Sequence, residues 1–320
     1  MATSRAAKRL LVIHYSQTGQ LTRVVDAFLA PLKGQAGIEV VEASIAPCVP
    51  YPFPWPFLDF LDVFPESVYM DPPEMAPVDF DPDAHFDLVI LAYQVWFLSP
   101  SLPVTGFLHS AAARVLKGKP VITLIGCRNM WLTAQAKLAE VLSERGAHLL
   151  DNVVLVDSGP AWSTFVTTPR WLLTGRKGPF WKIFPGAGIG DGDIRDAARF
   201  GKALRDALPS LPARPQDPLL RGLGAVCVDP RYIASERIGH RSFRLWGRVL
   251  RALGPPGTPL RRVVLVFYAL FLAVMIITIV PITLLLALLL RPFLRNRLNA
   301  AARRLEQPSG SNRDRCAQYL

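Results

Sequence analysis

Residues 10–22, with the sequence LLVIHYSQTGQLT, join a strand pattern to a helix pattern through a short polar loop. The run at 10–13 is apolar and rich in β-prone residues, and from residue 21 onward apolar side chains recur at helical spacing. A strand, a loop of hydroxyls and a helix start together direct backbone N–H groups and the positive end of a helix dipole at one point. The sequence therefore predicts an anion site here, most simply a phosphate site.

The composition of this loop narrows the kind of phosphate. It has no lysine before its hydroxyl residue and one glycine, Gly19, so it is neither GxxxxGK[ST] nor GxGxxG. Neutral hydroxyls suit a terminal monophosphate, and the pattern resembles the phosphate loop of the flavodoxin-like family, which implies FMN. Flavodoxins commonly place threonine two residues after the glycine, where this chain has Leu21, and Thr22 comes one later. An ordinary strand–helix turn of another α/β fold is the alternative. The predicted phosphate-site residues are Ser16, Gln17, Thr18, Gly19, Gln20, Leu21 and Thr22.

Strand patterns alternate with helix patterns through residue 207. The predicted strands are 10–14, 38–42, 86–93, 120–125 and 152–156, and the predicted helices are 21–33, 104–116, 132–145 and 193–207. This alternation predicts an α/β fold with right-handed crossovers and a doubly wound, five-stranded parallel sheet of flavodoxin-like type. Ligands of such sheets bind at the carboxyl ends of the strands. The loops after the first, third and fourth strands all open on that edge.

The segments after the third and fourth strands carry a more specific resemblance. LVILAYQVWFLSPSLPVTGFL resembles the second flavin loop of flavodoxin-like reductases, which implies that Trp96 and Phe97 stack on the flavin ring or border it. IGCRNMWLTAQ and TPRWLLTGRKGPFW resemble a narrower group, the dialkylresorcinol-condensing-type flavoproteins, and the likeness covers about residues 8–206. The ring-site residues that these resemblances imply are Gln94, Val95, Trp96, Phe97, Gly126, Cys127, Arg128, Asn129 and Trp131.

Arg128 and Asn129 also have a chemical reason to lie in such a site. A reduced flavin is negatively charged near N1, and a guanidinium or an amide there stabilises it. An exposed loop arginine and a turn-forming asparagine are the alternative. Cys127 has no histidine near it in sequence, so we do not expect a nucleophile. The sequence identifies no general acid or base, and its four scattered cysteines predict free thiols and no metal site.

Two insertions interrupt the predicted sheet domain. Residues 47–82 are rich in proline and aromatics, which excludes long helices and predicts a lid over an apolar substrate or a loop packed on the domain or on a membrane. Residues 157–192 interleave aromatic and basic side chains, a pattern found with nucleic acids and at membrane interfaces. The apolar segment further along the chain favours an interface or an apolar pocket, so we expect no nucleic-acid partner.

The last third of the chain follows the sheet domain of residues 1–208. Residues 209–262 begin as a proline-rich linker and continue as a basic amphipathic helix, which predicts binding to an anionic lipid surface. The arginines on one face of this helix are Arg237, Arg241, Arg244 and Arg248.

Residues 263–290 contain no charge over 28 positions, more than the roughly 20 that a membrane span needs. The sequence therefore predicts a membrane-embedded segment. A single span and a hairpin bent near Pro281 both fit, and because arginines flank both ends the positive-inside rule does not choose between them. Residues 291–320 form a polar, basic tail, of which 299–320 are expected to be disordered.

Together these features predict a membrane-anchored, FMN-dependent oxidoreductase that acts on a lipophilic small molecule. We expect it at the cytoplasmic face of the inner membrane, with NAD(P)H or another redox partner closing the cycle. The narrower resemblance implies aromatisation of a dialkyl-cyclohexanedione to a resorcinol, or a related polyketide-tailoring step, and the wider one implies a homodimer. The alternative is a membrane-bound electron-transfer protein or a non-catalytic scaffold. Bulky apolar insertions and basic charge favour the enzyme, because an electron carrier needs an exposed flavin edge.

Overall fold

The computed structural model describes residues 7–212 and 214–319, without the side chains of 280, 283, 284, 286–288 and 290–294. The strands are β1 Lys8–His14, β2 Ile38–Ser44, β3 Leu88–Trp96, β4 Ser99–Pro100, β5 Pro120–Cys127 and β6 His148–Val156. The helices are α1 Gln20–Leu29, α2 Phe57–Asp62, α3 Phe64–Tyr69, α4 Leu102–His109, α5 Leu132–Glu144, α6 Ala161–Thr174, α7 Asp191–Asp196, α8 Ala198–Ala207, α9 Tyr232–Ala252 and α10 Pro259–Leu305.

The sheet is parallel in the order β2-β1-β3-β5-β6, and the short β4 pairs antiparallel with β3. Counting the parallel strands alone, this is the order 2-1-3-4-5 of the flavodoxin-like doubly wound sheet, so the predicted α/β class and the five parallel strands are confirmed. The buried stretches of the central strands, 10–14, 88–93 and 120–125, are almost entirely apolar, as expected where helices cover both faces of the sheet.

The end of β3 differs from the prediction, which made residues 94–97 a loop. The strand continues through Trp96, because Gln94 pairs with Gly126 of β5 and Trp96 pairs with Ser99 of β4. The turn to β4 is formed by Phe97 and Leu98, with φ angles of 48° and 61°. Two-residue hairpins favour positive φ at both positions, usually with asparagine or glycine. Bulky apolar residues gave no such turn signal, so β4 was not predicted.

Helix α9 is helical over Tyr232–Ala252, and part of its apolar side packs on protein. Phe243, Trp246 and Leu250 pack with residues of α3 and α10. The four arginines of the predicted basic face are exposed, together with Leu245 and Val249 of the apolar side. Protein contacts therefore cover part of the apolar stripe that was assigned to lipid, and its exposed remainder lies on the same helix as the exposed arginines.

The prediction of a disordered tail at 299–320 was wrong for the residues that the structure describes. Helix α10 runs to Leu305, and Ser309 then accepts a hydrogen bond from the Asn152 N–H (2.7 Å) and donates one to Asp151 Oδ1 (2.7 Å). The N–H of Gly224 donates to the Asn312 carbonyl at 2.6 Å. The two contacts of Ser309 join residues 157 and 158 positions apart, and composition alone does not reveal them.

The segment before α9 also packs on the sheet domain. Val154 of β6 donates its N–H to the Ala225 carbonyl at 2.9 Å, and Leu220, Leu223 and Val226 are buried in the main core. This segment runs beside β6, where an unpaired edge would otherwise be open to other chains. The chain beyond residue 208 thus contributes to the same core as the sheet.

One helix in the described part of the chain is long and apolar enough to cross a membrane. Its apolar window lies at Pro259–Ile279, with a mean hydropathy of 2.6 and 11% of the window buried. Length and composition are the basis of this assignment, and a core helix of a soluble protein can have both. The low burial distinguishes α10 from such a core helix.

Asp151, which binds Ser309 of the tail, makes the stability of the folded protein depend on pH. Its carboxylate is fully buried and accepts hydrogen bonds from the Leu219 and Leu220 N–H groups, yet burial raises its pKa to about 6. The folded state then holds this proton more tightly than the unfolded chain does. The resulting stabilisation is complete below the unfolded pKa and is lost as pH rises through the folded pKa.

We therefore expect the difference in unfolding free energy between the wild type and Asp151→Asn to decrease as the pH is raised from about 4 to about 6. The full change is about 3 kcal/mol at about 1.4 kcal/mol per pKa unit. Urea unfolding of both detergent-solubilised proteins at closely spaced pH values measures it. A difference that is flat, or that grows with pH, would contradict the prediction.

Candidate functional site

The loop between β1 and α1 presents unpaired donors. Gly19 has a φ of 75°, and the Ser16 hydroxyl accepts hydrogen bonds from the N–H groups of Leu21 (3.1 Å) and Thr22 (3.4 Å). Within the described residues, no acceptor is hydrogen-bonded to the N–H groups of Thr18, Gly19 or Gln20. These three donors lie at a helix start, where the dipole favours an anion.

The three predicted segments come together at the carboxyl edge of the sheet. The N–H of Gln17 donates to Gln94 Oε1 at 3.1 Å, which joins the loop after β1 to the end of β3. Gln94 pairs with Gly126, and a Cβ atom at Gly126 would lie 3.2 Å from Leu21 Cδ1. The strand order reverses between β1 and β3, and the site therefore lies at the topological switch point, where ligands of this sheet type bind.

Trp96 lies under the first insertion. The rings of Tyr15, Tyr51 and Trp55 meet it edge-on, with centroids 6.0, 5.1 and 5.9 Å away. Gln17 Nε2 donates to the carbonyls of Tyr51 (3.3 Å) and Pro52 (2.7 Å). Residues 47–82 are thus packed on the domain, beside Trp96 and Gln17 of the predicted site, and the role as a lid over a substrate stays a prediction.

The side chain of Phe97 lies in a different aromatic cluster from that of Trp96. Its ring packs against Phe60, Phe64 and Phe243, with centroids 5.2, 5.6 and 6.2 Å away. This cluster also contains Tyr268 of α10. The turn at Phe97 and Leu98 sends neighbouring side chains to different places, which a linear pattern of aromatic residues does not predict.

Arg128 and Asn129 have polar groups without partners. The Arg128 guanidinium stacks on the Phe165 ring of α6, 4.1 Å from its centroid, and burial lowers its pKa. In the described part of the chain, this guanidinium makes no hydrogen bond. Asn129 Oδ1 is buried and likewise lacks a partner among the described residues. Buried polar atoms are normally paired, so Asn129 Oδ1 is a place where a polar ligand would complete the structure, and the half-buried Arg128 guanidinium beside it has donors to offer the same ligand.

Other predicted site residues have structural roles. The Gln20 amide donates to the Ile189 carbonyl and accepts from the Ile189 N–H, both at 3.1 Å. The side chains of Leu21 and Trp131 are buried in the core, and Val95 pairs with Pro100. Burial raises the pKa of the Cys127 thiol, which keeps the thiol protonated. Four of these residues contribute backbone or packing at the site, and Cys127 offers no thiolate.

The second insertion completes the cover of the site. Its helix α6 carries Phe165, and the Leu172 carbonyl accepts the Trp55 N–H of the first insertion at 2.8 Å. At its far end the Gly188 N–H donates to Asp157 Oδ2 at 2.6 Å. Sequence analysis assigned no role to Phe165 or Asp157, because no local pattern marks a ring under a guanidinium 37 positions away or a carboxylate that closes a loop.

A cavity of about 290 Å³ lies away from these loops, between α3, α5 and α9. It is bordered by Lys137, whose Nζ donates to Val68 O (2.8 Å) and Ser99 Oγ (2.9 Å), and by His240 and Arg244. Burial lowers the pKa of Lys137 to about 8 and that of His240 to about 4. None of the residues that line this cavity is a predicted flavin-site residue. Across the described residues, no three His, Cys, Asp or Glu side chains are grouped to hold a metal ion.

Comparison with known proteins finds similarity to solved structures at low sequence identity. No protein-family model and no curated protein match the sequence. A flavoprotein in complex with FMN from Lactobacillus acidophilus NCFM is similar over 47% of this chain and 93% of its own, with 15% identity and a TM-score of 0.37. A putative flavoprotein from Bacteroides eggerthii DSM 20697 is similar over 47% and 88%, with 19% identity and a TM-score of 0.35. A flavodoxin from the domain Archaea is similar over 63% and 99%, with 12% identity and a TM-score of 0.36.

At these identities and TM-scores the likeness carries no argument about this chain. The fold assignment rests on its own strand order, and the interpretation of the site rests on its own donors.

Proposed function

We propose that this protein binds FMN at the switch point and is an oxidoreductase. The observation that carries the proposal is the set of three unpaired N–H groups, of Thr18, Gly19 and Gln20, at the start of α1. In sheets of this order FMN binds at the β1/β3 switch point. The FMN phosphate would lie on the loop of residues 16–22.

The residues at the other end of the site fit the flavin ring. Arg128 and Asn129 would border its pyrimidine edge, where their unpartnered polar atoms gain hydrogen bonds. FMN supplies two-electron redox chemistry when bound, and the Arg128 charge stabilises the reduced, anionic form. The rings of Tyr51, Trp55 and Trp96 pack against one another near the loop of residues 16–22 and would shield part of a bound flavin from water.

A lipophilic small molecule is the substrate class that this surrounding favours. The site is covered by aromatic side chains, and α10 exposes an apolar surface that suits a membrane. Aromatisation of a dialkyl-cyclohexanedione to a resorcinol, suggested by the sequence resemblance, removes two electrons and two protons from the ring. Bound FMN would supply a two-electron acceptor for this step, and the reduced flavin would have to be reoxidised by an electron acceptor, NAD(P)+ or another oxidant, to close the cycle. We place the sheet domain on the cytoplasmic face of the inner membrane, where such partners are available.

The electron-transfer alternative requires an exposed ring edge for a partner protein. The packing of Tyr51 and Trp55 over Trp96 supports the small-molecule enzyme instead. Turnover with a lipophilic dione separates the two functions, because a one-electron carrier would show none.

The cofactor is tested by the visible absorbance of the detergent-purified protein, followed by acid release of any chromophore. We expect a flavin spectrum and released FMN. A colourless protein that also fails to take up added FMN would refute the proposal and leave a membrane-bound scaffold.

Thr18→Glu should weaken FMN binding at least about 100-fold, or about 2.7 kcal/mol. The Thr18 hydroxyl has no partner within the described chain, and a carboxylate there would repel the phosphate in the loop. Titration of FMN and riboflavin, followed by flavin fluorescence, measures both affinities. Riboflavin lacks the phosphate and should be affected much less.

The matched control is Thr18→Gln, which has nearly the same size without the charge. Its FMN affinity should stay within about tenfold of the wild type, since it adds no like-charge repulsion. Equal losses for FMN and riboflavin in Thr18→Glu would place the phosphate elsewhere.

A further inference from the structure

The first turns of helix α10 are held against the sheet domain by buried contacts of Arg261 and Tyr268, and such contacts at either end of α10 are called clamps below. Arg261 is fully buried, and its Nε donates to Asp62 Oδ1 at 2.5 Å. Its two terminal nitrogens donate to the Glu66 carboxylate at 2.9 and 2.6 Å. Two turns later the Tyr268 ring stacks on Phe64 at 4.6 Å. The apolar helix therefore begins against the first insertion.

The far end of α10 is held by the same domain. Ala302 is buried in the main core, and Glu306 Oε1 accepts the Val228 N–H at 3.2 Å. Beyond the helix, Ser309 is fully buried and hydrogen-bonded to Asp151 and Asn152 of β6. Buried hydrogen bonds of this kind, one of them to a carboxylate, are too costly to lose for the end to be a loosely placed tail.

The middle of α10 has no such contacts among its described side chains. Val274, Ile277, Ile282, Leu285 and Leu289 are exposed, and residues 263–290 carry no charge on any face. An interfacial helix needs a polar side toward water, which this segment does not have. The segment can be surrounded by hydrocarbon on every side, and only the ends of α10 have the polar groups that contact protein and water.

A single span is inconsistent with the two clamped ends. A straight helix leaving the domain along the membrane normal would carry Glu306 about 57 Å beyond Tyr268, at about 1.5 Å per residue. Val228, which binds Glu306, lies only four residues before α9, and Trp246 of α9 packs on Tyr268 at 5.3 Å. One domain on one side of a bilayer cannot hold both ends of a helix that crosses it.

We propose that residues 263–290 enter and leave a phospholipid bilayer through the same face, so that the protein is monotopic. This inference rests on the membrane attachment in the proposed function, and it adds on which side of the bilayer the two ends of the segment lie. Helix α10 is continuous from Pro259 to Leu305, so its return to the same face requires a bend within the helix and not a loop. The two halves of residues 263–290 are each about 21 Å long, short of the roughly 30 Å hydrocarbon core. Pro281 lies in the stretch without contacts, and proline is a common site of sharp helix bends.

The flanking arginines agree with this topology. Arg261 and Arg262 precede the apolar segment, and Arg291, Arg295 and Arg297 follow it. In a single span, one of these groups would lie on the side that the positive-inside rule disfavours. In the monotopic arrangement both groups lie on the cytoplasmic side, where anionic lipid headgroups attract the exposed Arg262, Arg295 and Arg297.

Cysteine labelling of the full-length chain in sealed membranes tests the topology. The domain reporter keeps the exposed Cys48 and carries Cys227→Ser and Cys316→Ser. The tail reporter carries the exposed Gln318→Cys in the same background, with Cys48→Ser. Cys127 is half-buried and stays in both reporters, and a variant that keeps Cys127 as its one cysteine gives the background labelling to be subtracted. A membrane-impermeant maleimide is added to inside-out vesicles and to spheroplasts. The same reagent added to detergent-solubilised protein gives the maximum labelling of each reporter.

Both reporters should be labelled in inside-out vesicles and protected in spheroplasts, to similar fractions of the detergent value. Labelling of the two reporters from opposite sides would overturn the monotopic arrangement and establish a single span. Flotation of the vesicles and a carbonate wash are measured on the same samples. A chain released by the wash would refute membrane insertion itself, while the flavin spectrum reports separately on the FMN site.

Discussion

Arg261→Met should lower the free energy of unfolding by about 3–5 kcal/mol, the usual cost of breaking a buried ion pair from one side. Arg261 is fully buried, and Asp62 is 5% exposed. The guanidinium also donates to the carbonyls of Asp62 (2.7 Å) and Gly254 (3.1 Å). Methionine fills most of the volume, but it leaves two carboxylates and two carbonyls without their donor.

Arg262→Met is the matched control, one residue along the same helix. Arg262 and its partner Asp59 are about half exposed, and the pair is 3.2 Å apart. Exposed ion pairs contribute roughly 0–1 kcal/mol, so this change should be near neutral. Urea unfolding of the detergent-solubilised proteins, followed by tryptophan fluorescence, compares the two. Equal effects would show that burial does not decide the strength of the Arg261 cluster.

A rescue variant separates lost charge balance from lost packing. Arg261→Met combined with Asp62→Asn and Glu66→Gln removes the unpaired charges and keeps an acceptor for the Gly257 N–H, which Asp62 Oδ2 now accepts at 2.6 Å. This variant should recover part of the stability, because replacing a whole buried ion cluster by neutral groups costs less than breaking it. No recovery would assign the loss to packing.

The sheet could be predicted because its information is local. Apolar runs of β-prone residues produced all five parallel strands, and the loop after β1 was placed by the change from strand to helix period. The order of the strands followed from the rules for crossovers and the family resemblance, since no local pattern specifies which strands are neighbours. Strand ends were less accurate, because pairing between strands extended β3 through Trp96.

The clamps on α10 could not be predicted, because each joins residues far apart in sequence. Arg261 and Asp62 are 199 positions apart, and Ser309 and Asp151 are 158 apart. In sequence, a flanking arginine and a polar tail look alike whether they lie in water or in a buried cluster. The same limit applies at the site, where Arg128 and Asn129 were identified by flavin chemistry, while Phe165 was predicted only as part of an aromatic and basic insertion and not as a contact of Arg128.

The position of the phosphate loop depends on a close contact between α1 and α8. A Cβ atom at Gly201 of α8 would lie 1.9 Å from the Phe28 carbonyl oxygen, so the two backbones touch where only glycine fits. Sequence analysis placed residue 201 in the last predicted helix. It could not predict this contact, which involves the backbone of another helix.

Gly201→Ala should therefore destabilise the protein by about 3 kcal/mol or more, the upper range for overpacking, because the obstructing atom belongs to the backbone. Gly192→Ala is the control, since its helical position is exposed and has open space around the new Cβ. Alanine is favoured over glycine in helices by up to about 1 kcal/mol, so the control should be neutral or slightly stabilised. Thermal unfolding of both proteins measures the difference.

The same pair of variants tests whether α1 must be held in place for the proposed function. Phe28 lies near the end of α1 opposite the unpaired N–H groups of Thr18, Gly19 and Gln20. If α8 pushes α1 away, these donors move relative to Gln94 and Arg128. Gly201→Ala protein that remains folded at low temperature should then bind FMN more weakly, whereas Gly192→Ala should bind it as the wild type does. Wild-type stability in Gly201→Ala would refute the close contact, and unchanged FMN affinity in a destabilised variant would show that the loop keeps its geometry without α8.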